Sequence, residues 1–267
     1  MAISSKLSAH LQYLWIVVLI ACIQSAVCQL SNNKDDLLNW CLDSVNHKHK
    51  PGKEDTLHEQ CLPWKDHACC TNEVAIMVHE TNLYNFSLDH CFSQTGSNMS
   101  DKCRRHFNQN NCFYECEPHI GLWVVKTKRK IATERFYKVP LCASDCISWF
   151  EACKDDFTCA YNWPRDFKFS KGHNTCKEKA KCNTFKQVYE TAKDFCENVW
   201  DDSWVYTPDD QPCMRIWFNG SSVNPNRKIA EYYINKHFDG GSVNTIYIWL
   251  IFLSLISHFS WTKYSSL

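Results

Sequence analysis

The chain has 267 residues with 29 basic and 29 acidic side chains, so its formal net charge at neutral pH is zero. A balanced charge gives no electrostatic reason to expect nucleic acid or an acidic membrane surface as a partner. Seven glycines, eight prolines and 45% hydrophobic residues exclude a collagen-like, low-complexity or disordered chain, and the 18 cysteines are the strongest compositional signal.

The first 28 residues have the pattern of a secretory signal peptide. One basic residue, Lys6, precedes an apolar run over 14–23, and a small-residue site over 26–28 follows. A transmembrane anchor is the alternative, but about ten apolar residues are too few to span roughly 30 Å of hydrocarbon. We therefore predict that residues 1–28 are removed in the secretory pathway.

The cysteines that remain predict a disulfide framework. Removal of Cys22 and Cys28 leaves 16, an even number, which predicts eight disulfides in an extracellular chain. Zinc ligation is the alternative for such a density of cysteines. It is disfavoured because Cys69 and Cys70 are adjacent and no two Cys-x-x-Cys knuckles occur. The sequence predicts neither a metal site nor a cofactor.

Hydrophobic periodicity predicts four helices with few, short strands. The predicted helices cover residues 35–45, 141–154, 184–200 and 226–238. Residues 122–125 read as a strand edge or a loop. The basic stretch 126–130 beside them could bind heparin-like polymers, but a solvated loop is favoured. With no repeat and no Gly/Ser/Pro-rich linker, residues 29–240 are predicted to form one domain.

No enzyme motif occurs in the sequence. There is no G-x-S-x-G, no phosphate-binding glycine loop and no H-E-x-x-H, and the even cysteine count leaves no nucleophilic thiol. We interpret His79, His90 and His106 as surface or packing residues rather than ligands. The chain is predicted not to be an enzyme.

Aromatic residues concentrate in two segments, 163–169 and 200–204. Aromatic rings interleaved with polar groups can line a slot for a flat heterocycle. The alternative is that large rings fill the core of a disulfide-rich domain, and composition alone favours that alternative.

The carboxyl end has the pattern of a glycosylphosphatidylinositol (GPI) attachment signal. The small residues Gly240, Gly241 and Ser242 precede an apolar segment over 246–259, so residues 241–267 are predicted to be a removed propeptide. The polar spacer is shorter than the roughly 8 to 12 residues usual in such signals, which leaves a short single-pass anchor as the alternative.

Three sequons agree with a cell-surface protein. They predict N-glycosylation at Asn85, Asn98 and Asn219.

Several segments of the chain resemble the folate receptor family. They are 37–41 (LLNWC), 51–55 (PGKED), 57–61 (LHEQC), 63–64 (PW), 68–70 (ACC), 112–116 (CFYEC), 139–142 (VPLC) and 224–226 (NPN). The resemblance covers nearly the whole mature chain and all 16 cysteines. It implies an α+β fold, mainly α-helical with a few short strands, in a single globular domain with eight disulfides. It also implies GPI anchoring on the extracellular face of the plasma membrane.

The resemblance implies a specific pairing of the cysteines. The pairs are Cys41–Cys69, Cys61–Cys112, Cys70–Cys116, Cys91–Cys182, Cys103–Cys153, Cys142–Cys213, Cys146–Cys196 and Cys159–Cys176.

In folate-binding members of the family, a pterin is stacked between aromatic rings and its N–H groups are held by an aspartate. The matching pocket positions in this chain are Tyr84, Tyr114, Arg135, Trp200 and Ser203. The aspartate position is Asn110. An amide has one acceptor oxygen and also a donor group, so it accepts from one of two ligand donors and loses a charge-assisted pair. A buried mismatch of this kind lowers affinity by about a thousandfold or more.

Other departures from the family's pattern point the same way. Residues 131–132 replace a Trp-Arg pair and residues 164–169 replace a His-Lys-Gly-Trp-x-Trp run. Segments 83–88 and 63–66 resemble an egg-surface branch of the family that binds no folate and is recognised by the sperm protein Izumo.

We therefore expect an egg-membrane receptor for Izumo in gamete adhesion and fusion, expressed in oocytes. Ile76 and Met77 are the candidate partner-binding residues, in a loop about two residues shorter than in that branch, and folate binding is expected to be weak or absent. The alternative is a receptor that binds folate or another pterin or vitamin for cellular uptake.

Overall fold

The structure is a computed structural model that describes residues 31 and 33–239. Its helices are α1 (Lys34–Leu38), α2 (Asn72–Glu80), α3 (Phe92–Thr95), α4 (Asp101–Cys116), α5 (Ala143–Cys153), α6 (Trp163–Asp166), α7 (Phe185–Val188), α8 (Ala192–Asn198) and α9 (226–239). Shorter 3₁₀ segments cover Glu59–Trp64, Leu83–Asn85 and Gly121–Trp123. The predicted signal peptide and the attachment residues Gly240, Gly241 and Ser242 lie outside the described residues.

The strands pair into two-stranded sheets. They are β1 (Val124–Lys126), β2 (Glu134–Phe136), β3 (Val139–Cys142), β4 (Phe157–Thr158), β5 (Lys168–Ser170), β6 (His173–Thr175), β7 (Asn183–Thr184) and β8 (Trp204–Thr207). Strands β1 and β2, β4 and β7, and β5 and β6 are antiparallel, whereas β3 and β8 are parallel with Val139 opposite Trp204. The predicted fold class, mainly helical with a few short strands, is confirmed.

Two of the predicted helices are confirmed as α5 and α9. The prediction over 35–45 is wrong beyond residue 38, because the chain leaves the helix and Ser44 forms a bridge with Ala132. The prediction over 184–200 is wrong at its centre. Helix α7 ends where Tyr189 takes extended backbone angles, and α8 starts separately after Thr191, whose side chain accepts from the Asp194 amide.

Helix α4 is 16 residues long and was not predicted from the sequence. Ser100 caps its amino end by accepting from the Cys103 amide, and Asp156 holds Ser100 through bonds of 2.6 and 2.7 Å. Phe107 and Phe113 lie on its buried side with three cysteines. This helix is the central element of the domain.

Eight disulfides join the described cysteines, and they are the pairs that the resemblance implies. The bonds are Cys41–Cys69, Cys61–Cys112, Cys70–Cys116, Cys91–Cys182, Cys103–Cys153, Cys142–Cys213, Cys146–Cys196 and Cys159–Cys176. Three of them start from α4 and fix it to α5, to the 3₁₀ segment Glu59–Trp64 and to Cys70, two residues before α2. Each closes a loop of roughly 50 residues. In the chain-entropy model, a loop of this length stabilises the folded state by about 4 kcal/mol, because it restricts the unfolded chain.

The core is built from aromatic rings around α4. Phe107 stacks on Trp163 with 4.7 Å between ring centroids, and Trp149 meets Phe107 edge to face at 5.1 Å. Much of the predicted aromatic cluster, Trp163 and Trp204 included, is therefore core. Within the described residues, no helix is long and apolar enough to cross a membrane.

We expect Gly121→Ala to destabilise the fold. A Cβ at residue 121 would lie 2.5 Å from the carbonyl oxygen and 2.7 Å from the Cα of Leu37 in α1, so backbone must shift. Overpacking of this kind lowers the free energy of unfolding by about 1–3 kcal/mol. Thermal unfolding of the variant should therefore show a lower midpoint than that of the wild type. The control is Gly52→Ala, where the nearest atom is 3.8 Å away. Equal midpoints for the two variants would contradict the prediction.

Candidate functional site

The structure gathers the predicted pocket residues around the carboxyl-terminal half of α4. Asn110 and Tyr114 lie on α4, Arg135 lies on β2, and Trp200 and Ser203 lie between α8 and β8. Arg135 contacts Ser203 directly, with 3.5 Å between Nη1 and Oγ. Tyr84 comes from the 3₁₀ segment Leu83–Asn85 and takes a left-handed backbone conformation, with φ of 55°. We call this group of six residues the slot.

Asn110 is buried, and its acceptor oxygen already accepts one hydrogen bond from within the protein. The Oδ1 atom accepts a hydrogen bond of 3.1 Å from the indole Nε1 of Trp204. The parallel pairing of β3 with β8 fixes Trp204, and its ring packs against Phe113 and Phe136 at 4.8 and 4.9 Å. The amide oxygen that would meet a ligand donor is therefore bonded inside the protein.

Asp201 joins two arginines at the edge of the slot. Its carboxylate lies 2.6 Å from Arg165 Nε and 3.5 Å from Arg135 Nη2, and its carbonyl oxygen accepts from Arg135 Nη1 at 2.8 Å. Burial acts to raise the pKa of Asp201, but bonds from Asn162 and Arg165 and the charge of Arg135 outweigh it and hold that pKa below its usual value. The guanidinium of Arg135 is thus committed to the protein's own chain.

Trp200 packs against core rings on one side. Its ring centroid lies 5.2 Å from that of Trp163 and 5.6 Å from that of Phe86. Its indole Nε1 is buried without a hydrogen-bond partner, as is the hydroxyl of Tyr84. The Ser203 hydroxyl, by contrast, donates to the Trp200 carbonyl at 2.7 Å. The slot therefore holds both satisfied and unsatisfied polar atoms.

A buried carboxyl that sequence reasoning missed lies behind the slot. Glu115 is fully buried and lies beside the ionisable side chain of His47, with 3.5 Å between Oε2 and Nδ1. Burial raises the pKa of Glu115 to about 8, although the nearby Tyr84 hydroxyl opposes the shift. Burial lowers the pKa of His47 to about 4. Both groups are therefore mostly neutral at pH 7, and Glu115 can offer a proton donor.

A sequence signal for Glu115 exists in hindsight. Glu115 follows the buried Cys112 by three residues on α4. Residues three apart lie on the same face of a helix, so the side chain of Glu115 is expected to face the interior.

Arg129 is a second residue that the sequence did not assign to the slot. It belongs to the basic stretch 126–130, and its charge reaches both Tyr114 and Arg135. Burial raises the pKa of Tyr114 and lowers the pKa of Arg135. The positive charge of Arg129 lowers both pKa values. Part of this basic stretch therefore lies close enough to the slot to influence its charges.

The remaining predicted residues lie on the surface. Ile76 is 39% exposed on α2 and its neighbour Met77 is half-buried. The sequon residues Asn85, Asn98 and Asn219 are all exposed, as glycan attachment requires.

The predicted packing role fits His90. Burial lowers its pKa to about 4, and it contacts Trp163 and Phe167 edge to face.

We expect stability to depend on pH through Glu115. A carboxyl with a pKa of 4.5 when unfolded and about 8 when folded favours the fold most below pH 4.5, and this contribution is lost as the pH rises towards 8. In Glu115→Gln, the free energy of unfolding relative to wild type should therefore rise by about 3 kcal/mol between about pH 5 and pH 8. Glu178→Gln, at an exposed position, is the control, and parallel pH curves for all three proteins would overturn the assignment.

Comparisons with known proteins agree with this architecture. The folate receptor family matches residues 40–215. The chain is 37% identical to bovine (Bos taurus) folate receptor alpha over 214 residues, which covers 78% of this chain and 87% of that protein. It is 36% identical to human (Homo sapiens) folate receptor gamma over 229 residues, covering 84% and 91%.

A more distant relative is named for a different vitamin. The chain is 29% identical to chicken (Gallus gallus) riboflavin-binding protein over 202 residues, which covers 75% of this chain and 77% of that protein. With a family match over most of the domain and relatives above 35% identity across it, this chain belongs to the folate receptor family.

Proposed function

We propose that this chain is a GPI-anchored receptor on the extracellular face of the plasma membrane that binds a protein partner rather than folate. The observation that carries the proposal is the bond between Trp204 Nε1 and Asn110 Oδ1. At the position where the resemblance implies a pterin-binding carboxylate, a neutral amide has already committed one lone pair of its single acceptor oxygen to Trp204. Anchoring through Gly240, Gly241 or Ser242 is part of this proposal.

Other polar groups of the slot support the same conclusion. Arg135 bonds to the carbonyl of Asp201, and the Ser203 hydroxyl bonds to the carbonyl of Trp200. A pterin that needed these same donor hydrogens would have to break bonds inside the protein, and each broken bond to a charged group costs about 1.5–3 kcal/mol. The eight disulfides keep the scaffold independent of ligand.

The partner we propose is a sperm protein of the Izumo type, in the manner of the egg-surface receptor Juno. Support comes from the resemblance of segments 83–88 and 63–66, and from an apolar side chain available for contact. Ile76 is exposed on α2, a helix capped by the Thr71 side chain next to the double cysteine 69–70. Interfaces depend on a few apolar anchors in a tolerant surround, and Ile76 with Met77 can serve as one.

A second candidate is vitamin binding, and a specific observation favours it. The Trp200 Nε1 is buried without a hydrogen-bond partner, and the Tyr84 hydroxyl and Glu115 carboxyl, which neighbour each other, make no hydrogen bond of good geometry; buried polar atoms of that kind can await a ligand. Relatives named folate receptor and riboflavin-binding protein lend weight to a flat heterocycle as that ligand.

Calorimetry with folic acid separates the two candidates. We expect no saturable binding to the full chain, purified with its disulfides oxidised, at about ten micromolar or below. Bovine folate receptor alpha is the positive control. Nanomolar binding by this chain would overturn the protein-receptor proposal, and the same titration with riboflavin tests the wider vitamin hypothesis.

Asn110→Asp tests whether residue 110 is the determinant. One carboxylate oxygen can keep the Trp204 bond while the other becomes free for a ligand donor, so folic acid affinity should rise at least tenfold over wild type. Asn108→Asp, on the same helix but half-buried at its outer side in the groove with Trp217, is the matched control. No gain in the Asn110 variant would contradict this role.

We expect Ile76→Glu to weaken binding of an Izumo ectodomain to cells displaying the receptor by at least tenfold, because a buried apolar anchor is worth about 2 kcal/mol or more. Val223→Glu is the matched control, since Val223 is also apolar and is 79% exposed on a loop outside α2. Equal losses in the two variants, or none in either, would contradict the assignment of Ile76. Lack of binding by the wild-type receptor would refute Izumo as the partner.

A further inference from the structure

Two His-Glu dipeptides that are distant in sequence meet on the surface. His58 and Glu59 lie at the start of the 3₁₀ segment Glu59–Trp64, and His79 and Glu80 lie at the carboxyl end of α2. We propose that these four residues form a binding site for a divalent transition-metal ion, with Zn²⁺ as the ion that the donor set favours.

The donor atoms already lie close to the spacing of a metal site. His58 Nε2 is 3.4 Å from Glu80 Oε1 and 3.7 Å from Glu59 Oε1, and His79 Nε2 is 3.8 Å from the other Glu59 oxygen. Donor atoms of His58, Glu59 and His79 all lie within 4.8 Å of one another. A tetrahedral zinc site with bonds of 2.0–2.1 Å has donor-to-donor edges of about 3.3 Å, so small side-chain movements would close it.

The imidazoles present the correct atoms to the cluster. The Nδ1 atom of His79 lies 2.8 Å from the carbonyl oxygen of Ala75, which can only accept, so Nδ1 carries the proton and Nε2 has its lone pair free to act as an acceptor. A backbone carbonyl on the outer nitrogen is a usual arrangement for a zinc-bound histidine. The Nε2 atom of His58 is buried and has no hydrogen-bond partner.

One existing bond competes with the metal. His79 Nε2 accepts the Gln60 amide at 3.3 Å, a long hydrogen bond that the ion would replace. Replacing this hydrogen bond by a bond to the metal ion is favourable, because a metal–imidazole bond is far stronger than a hydrogen bond of this length.

The backbone holds the cluster in place. The disulfide Cys61–Cys112 fixes the 3₁₀ segment to α4 two residues after Glu59. Glu59 itself has a φ of 42°, which a residue with a side chain rarely adopts, and this conformation directs it between the two histidines. Both glutamates are exposed, so an ion can enter from solvent.

Imidazole and carboxylate donors together suit Zn²⁺. The cysteine-rich groups of the described chain offer no such site, because their sulfurs are paired in disulfides.

Calorimetry with ZnCl₂ tests the proposal on the full chain with its disulfides oxidised. We expect one ion per chain with a dissociation constant of about 1 μM. His58→Gln and Glu80→Gln should each weaken binding at least tenfold. Glu80 is exposed at the end of its helix, so Glu80→Gln retains the fold. His106→Gln, a histidine outside the cluster beside Trp217, is the matched control and should bind as wild type does.

Cobalt gives an independent readout. Co²⁺ in place of Zn²⁺ should produce the intense visible absorption of a tetrahedral site in wild type and in His106→Gln, and lose it in the two cluster variants. Absence of saturable Zn²⁺ binding up to about 100 μM, or equal affinity in the wild type and both cluster variants, would overturn the proposal. Neither result bears on Izumo or folate binding, so the two proposals fail separately.

Discussion

The three disulfides of α4 are the constraint on which the rest of the structure depends. They leave the helix at Cys103, Cys112 and Cys116 and reach three different parts of the chain. Because a helix fixed at both ends cannot rotate about its axis, the directions of Asn110, Tyr114 and Glu115 are set by covalent bonds rather than by ligand. The same bond from Cys112 also places the 3₁₀ segment that carries His58 and Glu59.

A scaffold held in this way can change its function without losing its fold. Asn110 can stand where the family's pattern has a carboxylate, and can bond to Trp204, without loss of the fold. The disulfides and the stack of Phe107 on Trp163 carry the stability instead. The outer surface is equally free to vary, because Ile76 contributes little to the core. Relatives named for folate and for riboflavin both match this chain, so one scaffold of this kind accommodates different ligands.

The sequence predicted the features that have a local or compositional signature. The count of eight disulfides and the helix over 141–154 were accessible because cysteine parity and apolar periodicity report them directly. Helix α4 was not, because its polar residues, including a run of amides from 108 to 111, mask the buried spacing of Cys103, Phe107 and Phe113. Contacts between distant segments have no local signal, so the Asn110–Trp204 bond and the meeting of His58 with His79 required the structure.

Asp201 connects one departure from the family's pattern, the segment 164–169, to the slot. Arg165 lies in the segment that replaces the family's His-Lys-Gly-Trp-x-Trp run, and Asp201 follows Trp200 in a left-handed conformation with φ of 57°. The carboxylate of Asp201 bonds to Arg165 and also neighbours Arg135, which comes from the other side of the slot. A ligand that bonded to Arg135 or Asp201 would have to compete with the ion pairs that join Asp201 to the two arginines. The segment 164–169 is thereby connected to the slot, because Asp201 bonds to Arg165 and its carbonyl oxygen also accepts from Arg135.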